Sequence, residues 1–327
     1  MSLITVAHLV QKDLDQIDQL IHDTLLESEY TFTREILDYL LSSSGKKIRP
    51  ILTLLSFYCI QPNPSDETYS KLIKVCAAIE IIHMASLVHD DVIDDGKLRR
   101  MKETINVKWG TEVAVVLGVF LYSVSLKLIY EVGSMSILSY LSTAVFSMCQ
   151  GELIQLSNRF KDYNKDDYYS VIAAKTADLF SAASLSGALL ADGDEKQLQQ
   201  FKLFSQSLGM LFQISDDYLD LKGFKNVLKK ESGQDMLKGI YTLPMHLLLD
   251  TFDADEMIFF NAHIASQSAE FLAFLKKKVI QDNFIKSCKK VIHSHEQDAL
   301  AALSVFSHSK YLDALKYFLK LLVKRVQ

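Results

Sequence analysis

Two acidic clusters in this chain share one spacing. Asp90-Asp91-Val92-Ile93-Asp94 and Asp216-Asp217-Tyr218-Leu219-Asp220 both read Asp-Asp-x-x-Asp, and each follows strongly apolar sequence. Residues four apart share a helix face, so Asp90 and Asp94 point one way, and Asp216 and Asp220 do the same on their own helix. Carboxylates crowded in apolar surroundings repel one another and lose hydration unless something cationic binds them. Hard oxygen donors with coordination sites to spare suit Mg²⁺, which keeps several waters and commonly bridges a protein carboxylate to a substrate phosphate. Two such clusters facing one cavity would clamp a diphosphate through several metal ions. A lone acidic pentad at a helix end is more often a solvated patch. Here the repeat of the spacing, the apolar run before each cluster and the nearby basic residues all favour the metal reading. Both clusters are also expected at helix C-termini, where the dipole disfavours added negative charge, so capping does not explain them.

Cations suited to phosphate recur along the chain. Gly45-Lys46-Lys47-Ile48-Arg49-Pro50 places several around a tight turn, Arg99-Arg100 follows the first cluster, and Lys229-Lys230 follows the second. Arginine suits bidentate phosphate contacts, and lysine acts as a point charge. Each alone reads as a surface cation of little energetic weight. Lys175-Thr176 differs, because it lies in a small and apolar stretch where a charge needs a partner; Asp178, one turn on, is the candidate. His83 stands seven residues before Asp90, two helical turns, on the same expected wall.

These groups need long helices to position them. The 327 residues, 49% hydrophobic and 23% charged, suffice for a large core, and four prolines and twelve glycines are few. No proline occurs between Pro64 and Pro244, which favours uninterrupted helices. Periodicity predicts helices over residues 7–26, 31–41, 68–91, 113–130, 136–160, 165–191 and 195–221, with polar connections at 94–110 and 222–239. The expectation is an all-α protein, a single domain spanning 1–327. Residues 113–126 are the most membrane-like, yet too short to span a bilayer, which takes ~20 apolar residues; they read as a buried core helix. The net charge of −5 gives no case for nucleic acid. Cys59, Cys76, Cys149 and Cys288 lie far apart and read as reduced thiols of a cytoplasmic protein. The N-terminus lacks the pattern of a signal peptide.

Taken together and in order, the motifs resemble those of the trans-isoprenyl diphosphate synthases, the polyprenyl synthetase family, and look closest to its octaprenyl-type long-chain members. The Gly45–Pro50 element, His83 to Asp94 with Arg99-Arg100, Gly151-Glu152-Leu153-Ile154-Gln155, Lys175-Thr176-Ala177, Phe212-Gln213 to Asp220, Gly233-x-Asp235 and Thr242-Leu243-Pro244 carry the resemblance across nearly the whole chain. It implies the isoprenoid synthase fold, one helical bundle around a central substrate cavity. It also implies metal binding by Asp90, Asp94 and Asp216, with Asp91, Asp217 and Asp220 supporting, and three Mg²⁺ ions. Arg99, Lys175 and Lys230 would hold the diphosphate of an allylic substrate. Gly45, Lys46, Arg49, His83 and Arg100 would hold isopentenyl diphosphate, and Thr176 and Gln213 would line the carbocation. The aspartates would be metal ligands rather than general acids or bases. A homodimer is implied, with at most peripheral membrane contact for product release.

Small residues below Asp90, at Ala85 and Ser86, would let a growing tail pass along the helix, so a product longer than farnesyl or geranylgeranyl is expected, octaprenyl foremost. A shorter-chain synthase, a terpene cyclase and a non-catalytic subunit of a heteromeric synthase are the alternatives. Both clusters and the isopentenyl cations count against the cyclase. All six aspartates count against the non-catalytic subunit. Three departures from the family pattern stand out: Val119 where aspartate is usual, Ile240 where lysine is usual, and Met101 and Glu103 in place of glycine and proline.

Overall fold

The computed structural model describes residues 3–27, 29–43, 45–161, 164–223, 234–264, 268–280 and 283–326. Among these, the only strands are two residues each, so the protein is all-α, as its proline-poor apolar periodicity predicts. Its contacts group into two compact units that interleave along the chain.

The first unit comprises residues 1–143, 182–198 and 307–315. It contains α1 (Leu3–Leu9), α2 (Gln11–Leu26), α3 (Thr31–Leu41), α4 (Ile48–Ile60), α5 (Asp66–Ile93), a hairpin of β1 (Leu98–Arg99) and β2 (Lys102–Glu103), α6 (Ile105–Trp109) and α7 (Thr111–Val132). Its axis is α5. Ser65 caps this helix, its Oγ accepting from the Thr68 N–H at 3.3 Å, and Asp66 and Glu67 occupy the positive end of the dipole. Leu72, Val75, Ile79, Ile81, Ile82 and Val88 are buried around its circumference, each contributing roughly 1.5–3 kcal/mol. That all-round burial explains the absence of a one-sided apolar stripe. The helix α7 packs closely on α5, and glycine is what permits it: a Cβ on Gly118 would run into the imidazole of His89, next to Asp90. The His89 ring lies 3.1 Å from the Val115 carbonyl.

The second unit comprises residues 144–181, 199–306 and 316–327. It holds most of α8 (Met135–Ser157), then α9 (Lys165–Ile172), the start of α10 (Asp178–Leu190) and most of α11 (Glu195–Gly223). After these come α12 (Gln234–Leu237), α13 (Leu243–Leu249), α14 (Ala254–His263), α15 (Ala269–Ile280), α16 (Asn283–Ala302) and most of α17 (Lys310–Lys324). Asn164 opens α9 with a capping box, its Oδ1 accepting from the Asp167 N–H at 2.9 Å while Asp167 accepts from the Asn164 N–H at 3.2 Å. The predicted helix 165–191 is interrupted by a π turn over Ala173–Ala177. Periodicity alone does not reveal such a turn, which often marks a functional site.

Three sequence expectations change. The first predicted helix is two, parted at Val10, which leaves helical geometry. Polar residues 94–110 contain the short hairpin and α6. The helix read as a buried core element, α7, is 22 residues long and exposes Val115, Val116, Val119, Leu126 and Tyr130. By length and composition α5, α7 and α8 could each cross a membrane, although the apolar window of α5 is mostly buried inside the protein.

Candidate active site

In the first unit, the two ends of the predicted phosphate site come together. Asp18, Gly45, Lys47, Glu80, His83, Asp91, Arg99 and Arg100 line one pocket, floored by Ile21, Leu87 and Val88. The α5 side is a single helical face, His83, Leu87 and Asp91 being four apart. Of the first aspartate cluster, this pocket takes Asp91, whose Oδ2 accepts from Arg99 Nε at 2.8 Å. Asp90 lies in the last turn of α5, and Asp94 caps it, its N–H donating to the Asp90 carbonyl at 2.9 Å.

The cations arrive by two unusual backbone turns. Lys47 precedes α4 in left-handed conformation, φ 49°, and ion-pairs with Asp18. Arg100 and Met101 both have positive φ, 51° and 65°, and form the two-residue turn between β1 and β2. Paired positive φ angles match the right-handed twist of a tight hairpin. The turn carries Arg100 back to the segment just after α3, where its Nη1 donates to the Ser43 carbonyl at 2.7 Å. Lys46, expected at the isopentenyl diphosphate, is exposed and not among the side chains lining this pocket; Lys47 stands there instead. Burial lowers Arg49 to about 10, while Glu80 and Asp90 pull it back toward the charged form. Burial first, then Arg49, Arg99 and Arg100, hold His83 well below its ordinary value, so it is neutral near pH 7. Ala85 is fully buried, and Ser86 Oγ donates to the His83 carbonyl at 2.9 Å.

In the second unit, a hydrogen-bonded chain fixes the other aspartate cluster near the end of α11. Thr176 Oγ1 donates to Gln213 Oε1 at 2.8 Å, Gln213 Nε2 donates to Asp217 Oδ1 at 2.8 Å, and Tyr168 Oη donates to Asp217 Oδ2 at 2.6 Å. Asp217 is 5% exposed. Burial, with help from Asp235 and Asp216, pushes its carboxyl up to about 8 against those two hydrogen bonds. Asp216 faces a different partner, accepting from Arg325 Nη2 at 2.7 Å, with the Arg325 guanidinium 5.8 Å from the Phe212 ring.

Lys175 lies within the π turn, and its carboxylate partner is Glu152 rather than Asp178. The extra residue of a π turn rotates Lys175 away from the face one turn on. Bare Gly151 makes room for its stem, since a Cβ there would stand 2.9 Å from Lys175 Cγ. Asp178 hydrogen-bonds Ser147. Lys229, Lys230 and Gly233 lie outside the described residues.

Residue spacing assigns no role to Glu80, Glu152, Tyr168 or Arg325. Glu80 had a signal, as a solitary charge in the apolar core of α5. Glu152 also had one, beside Gly151. Tyr168 and Arg325 had none, since their contacts join segments far apart in sequence.

Of the departures, Val119 is 60% exposed on α7 and Met101 is 92% exposed. Ile240 is buried, its N–H donating to the Asp235 carbonyl at 2.8 Å. None of these residues, nor Glu103, belongs to the two Asp-Asp-x-x-Asp clusters.

Among the described residues no three carboxylate, imidazole or thiol side chains converge as a metal centre. The donor chemistry suits a hard divalent cation: Asp217 is buried, Asp90, Asp91, Asp216 and Asp220 are half-buried and Asp94 is exposed, and an internal cation already stands against Asp91 and another against Asp216. Comparison with known proteins accords with this. The family model described as polyprenyl synthetase matches residues 31–278. The chain is 30% identical over 320 residues to an all-trans-nonaprenyl-diphosphate synthase of Rhodobacter capsulatus, covering 97% of this chain and 96% of that protein. It is 35% identical over 246 residues to heptaprenyl diphosphate synthase component 2 of Geobacillus stearothermophilus, covering 75% of each. Its fold matches a Caulobacter crescentus polyprenyl synthase, solved in complex with calcium and isoprenyl diphosphate, at a TM-score of 0.90 and 29% identity over 98% of this chain and 97% of that one. The chain belongs to the polyprenyl synthetase family: it is a prenyltransferase with the isoprenoid synthase fold, of the class that makes polyprenyl diphosphates of medium to long chain.

Proposed function

We propose that this protein condenses isopentenyl diphosphate with an allylic diphosphate such as farnesyl diphosphate, using Mg²⁺, and extends the product to about octaprenyl length. The observation that carries this reading is the first unit's pocket, where Lys47, Arg99, Arg100 and a neutral His83 converge beside Asp91. Such a set recognises a diphosphate by charge and by directed donors.

In this reading isopentenyl diphosphate takes Gly45, Lys47, Arg49, His83 and Arg100, with Lys46 at the pocket's edge. Arg99, Lys175 and Lys230 hold the allylic diphosphate. Asp90, Asp94 and Asp216 would hold the three Mg²⁺ ions, which when bound would supply neutralisation of the charge growing on the departing pyrophosphate. Asp91, Asp217 and Asp220 support these ligands. The allylic carbon–oxygen bond breaks, the isopentenyl double bond attacks the cation, and the lost proton leaves with pyrophosphate. Thr176 and Gln213, already hydrogen-bonded to each other, line the cation without supplying a base.

Octaprenyl length is supported by small Ala85 and Ser86 below the first aspartate cluster, and it lies between the heptaprenyl and nonaprenyl names of the two relatives. A homodimer is supported by the exposed apolar residues of α7, whose burial a second copy would supply. The site is cytoplasmic in this account, with peripheral membrane contact for release of a lipid product. The 35% identity to a named component of a heptaprenyl synthase favours one second reading, that an unlike subunit covers that same face.

Purified chain alone, given radiolabelled isopentenyl diphosphate, each allylic primer and Mg²⁺, is expected to make polyprenyl diphosphates. No turnover alone, restored by a partner, would favour the heteromer; no turnover under either condition would refute the proposal.

A further inference from the structure

The pocket of the first unit contains a carboxylate that repels the very ligand proposed for it. Glu80 lines the pocket and is 6% exposed. It lies on α5 three residues before His83, nearly one turn. Its Oε2 is buried and makes no hydrogen bond within the described residues. Burial of such a group is unfavourable unless neighbouring cations compensate it.

Those cations are present. Burial, with Asp18, raises the Glu80 carboxyl above its ordinary value, and Arg49, Lys47 and Arg100 pull it back toward the ionised form. A Cβ on Gly45 would stand 3.4 Å from Glu80 Oε1 and 2.9 Å from Arg100 Nη2, so the bare glycine lets carboxylate and guanidinium approach. Lys47 pairs with Asp18, Arg99 with Asp91, and Asp90 as well as Glu80 acts on Arg49. Arg100 is the cation that bare Gly45 brings beside Glu80. Arg99 and Arg100 both line this partly dry pocket and repel each other, and a buried carboxylate beside Arg100 offsets that repulsion before substrate arrives.

We infer that Glu80 is a positioning residue of the isopentenyl diphosphate pocket: it holds the Arg100 guanidinium aimed into the pocket in the substrate-free protein. The inference rests on the assignment of this pocket to isopentenyl diphosphate. A purely structural carboxylate would affect folding alone, or both substrates equally. A bystander would hinder the diphosphate, so its neutralisation would tighten binding.

Glu80→Gln keeps the shape and removes the charge. The KM for isopentenyl diphosphate is expected to rise about tenfold, that for the allylic diphosphate less than twofold, and Glu80→Asp is expected to recover part of the loss. Gly45→Ala, which parts the pair without altering Glu80, is expected to raise the same KM and keeps the test open should Glu80→Gln fold poorly. Because Glu80 acts through Arg100, the double variant Glu80→Gln/Arg100→Gln should lose less than the two single effects combined. An unchanged or lowered KM for isopentenyl diphosphate in Glu80→Gln, with Arg100→Gln raising it, overturns the role of Glu80 alone. An unchanged KM in Arg100→Gln overturns the pocket assignment and the inference with it.

Discussion

Arg325, at the end of the chain, donates from Nη2 to Asp216 at 2.7 Å, so the second aspartate cluster carries its own counter-ion. Both side chains are roughly a third exposed, 36% and 38%, and such a pair is worth at most about 1 kcal/mol. That is small beside multidentate metal binding, so the guanidinium would compete with a metal ion at the proposed site without excluding it. Arg325→Gln is expected to tighten Mg²⁺ binding by roughly two- to fivefold, measured calorimetrically with inorganic pyrophosphate present. Unchanged or weaker binding would contradict a counter-ion role and favour direct contact between Arg325 and pyrophosphate.

Met101 is 92% exposed at φ 65° in the hairpin turn, so its side chain adds strain and buries nothing. Glycine tolerates that conformation. Met101→Gly is expected to change stability upward by about 0.5–1 kcal/mol, less the entropy glycine gains on unfolding. Urea denaturation measures it; a clear loss would mean that the turn does not strain Met101.

His83 gives the pH dependence a definite sign. Burial and three arginines lower its folded pKa well below the ordinary value, while in the unfolded chain it titrates near 6.5. Below about 6.5 the unfolded state therefore binds the extra proton, and stability present at neutral pH is lost as pH falls. His83→Asn is expected to lose less stability than the parent between pH 7 and pH 5 in denaturant titrations. Equal slopes would show that His83 does not carry this acid sensitivity.

Ala85 tests product length. It is fully buried on α5, five residues before Asp90. Ala85→Phe is expected to shift products toward shorter chains and to cost roughly 1–3 kcal/mol through overpacking. Chromatography of labelled products separates the two effects. A destabilised enzyme that still makes full-length product would remove Ala85 from the elongation wall.

The helices were legible because their cause is local. The apolar runs behind Asp90 and Asp216, the cap at Ser65 and the lack of proline all act within a few residues. The aspartate clusters were legible for the same reason, since a spacing of four fixes a shared face. What stayed hidden depends on backbone exceptions or distant partners. The π turn at Ala173–Ala177 sends Lys175 to Glu152 in place of Asp178, a choice that i, i+3 reasoning on a regular helix gets wrong. The left-handed Lys47 enters the pocket that Lys46 was expected to line. The outward apolar face of α7 was misread because hydropathy cannot say whether a neighbour covers it.

In the proposed reaction, pyrophosphate departure depends on metal ligation by Asp90 and Asp216. Product chromatography on Asp90→Asn/Asp216→Asn, with circular dichroism to establish its fold, measures that dependence. The expected result is a helical protein that releases no polyprenyl diphosphate from isopentenyl and farnesyl diphosphates with Mg²⁺. Polyprenyl chains made at the parent rate by that variant would contradict it.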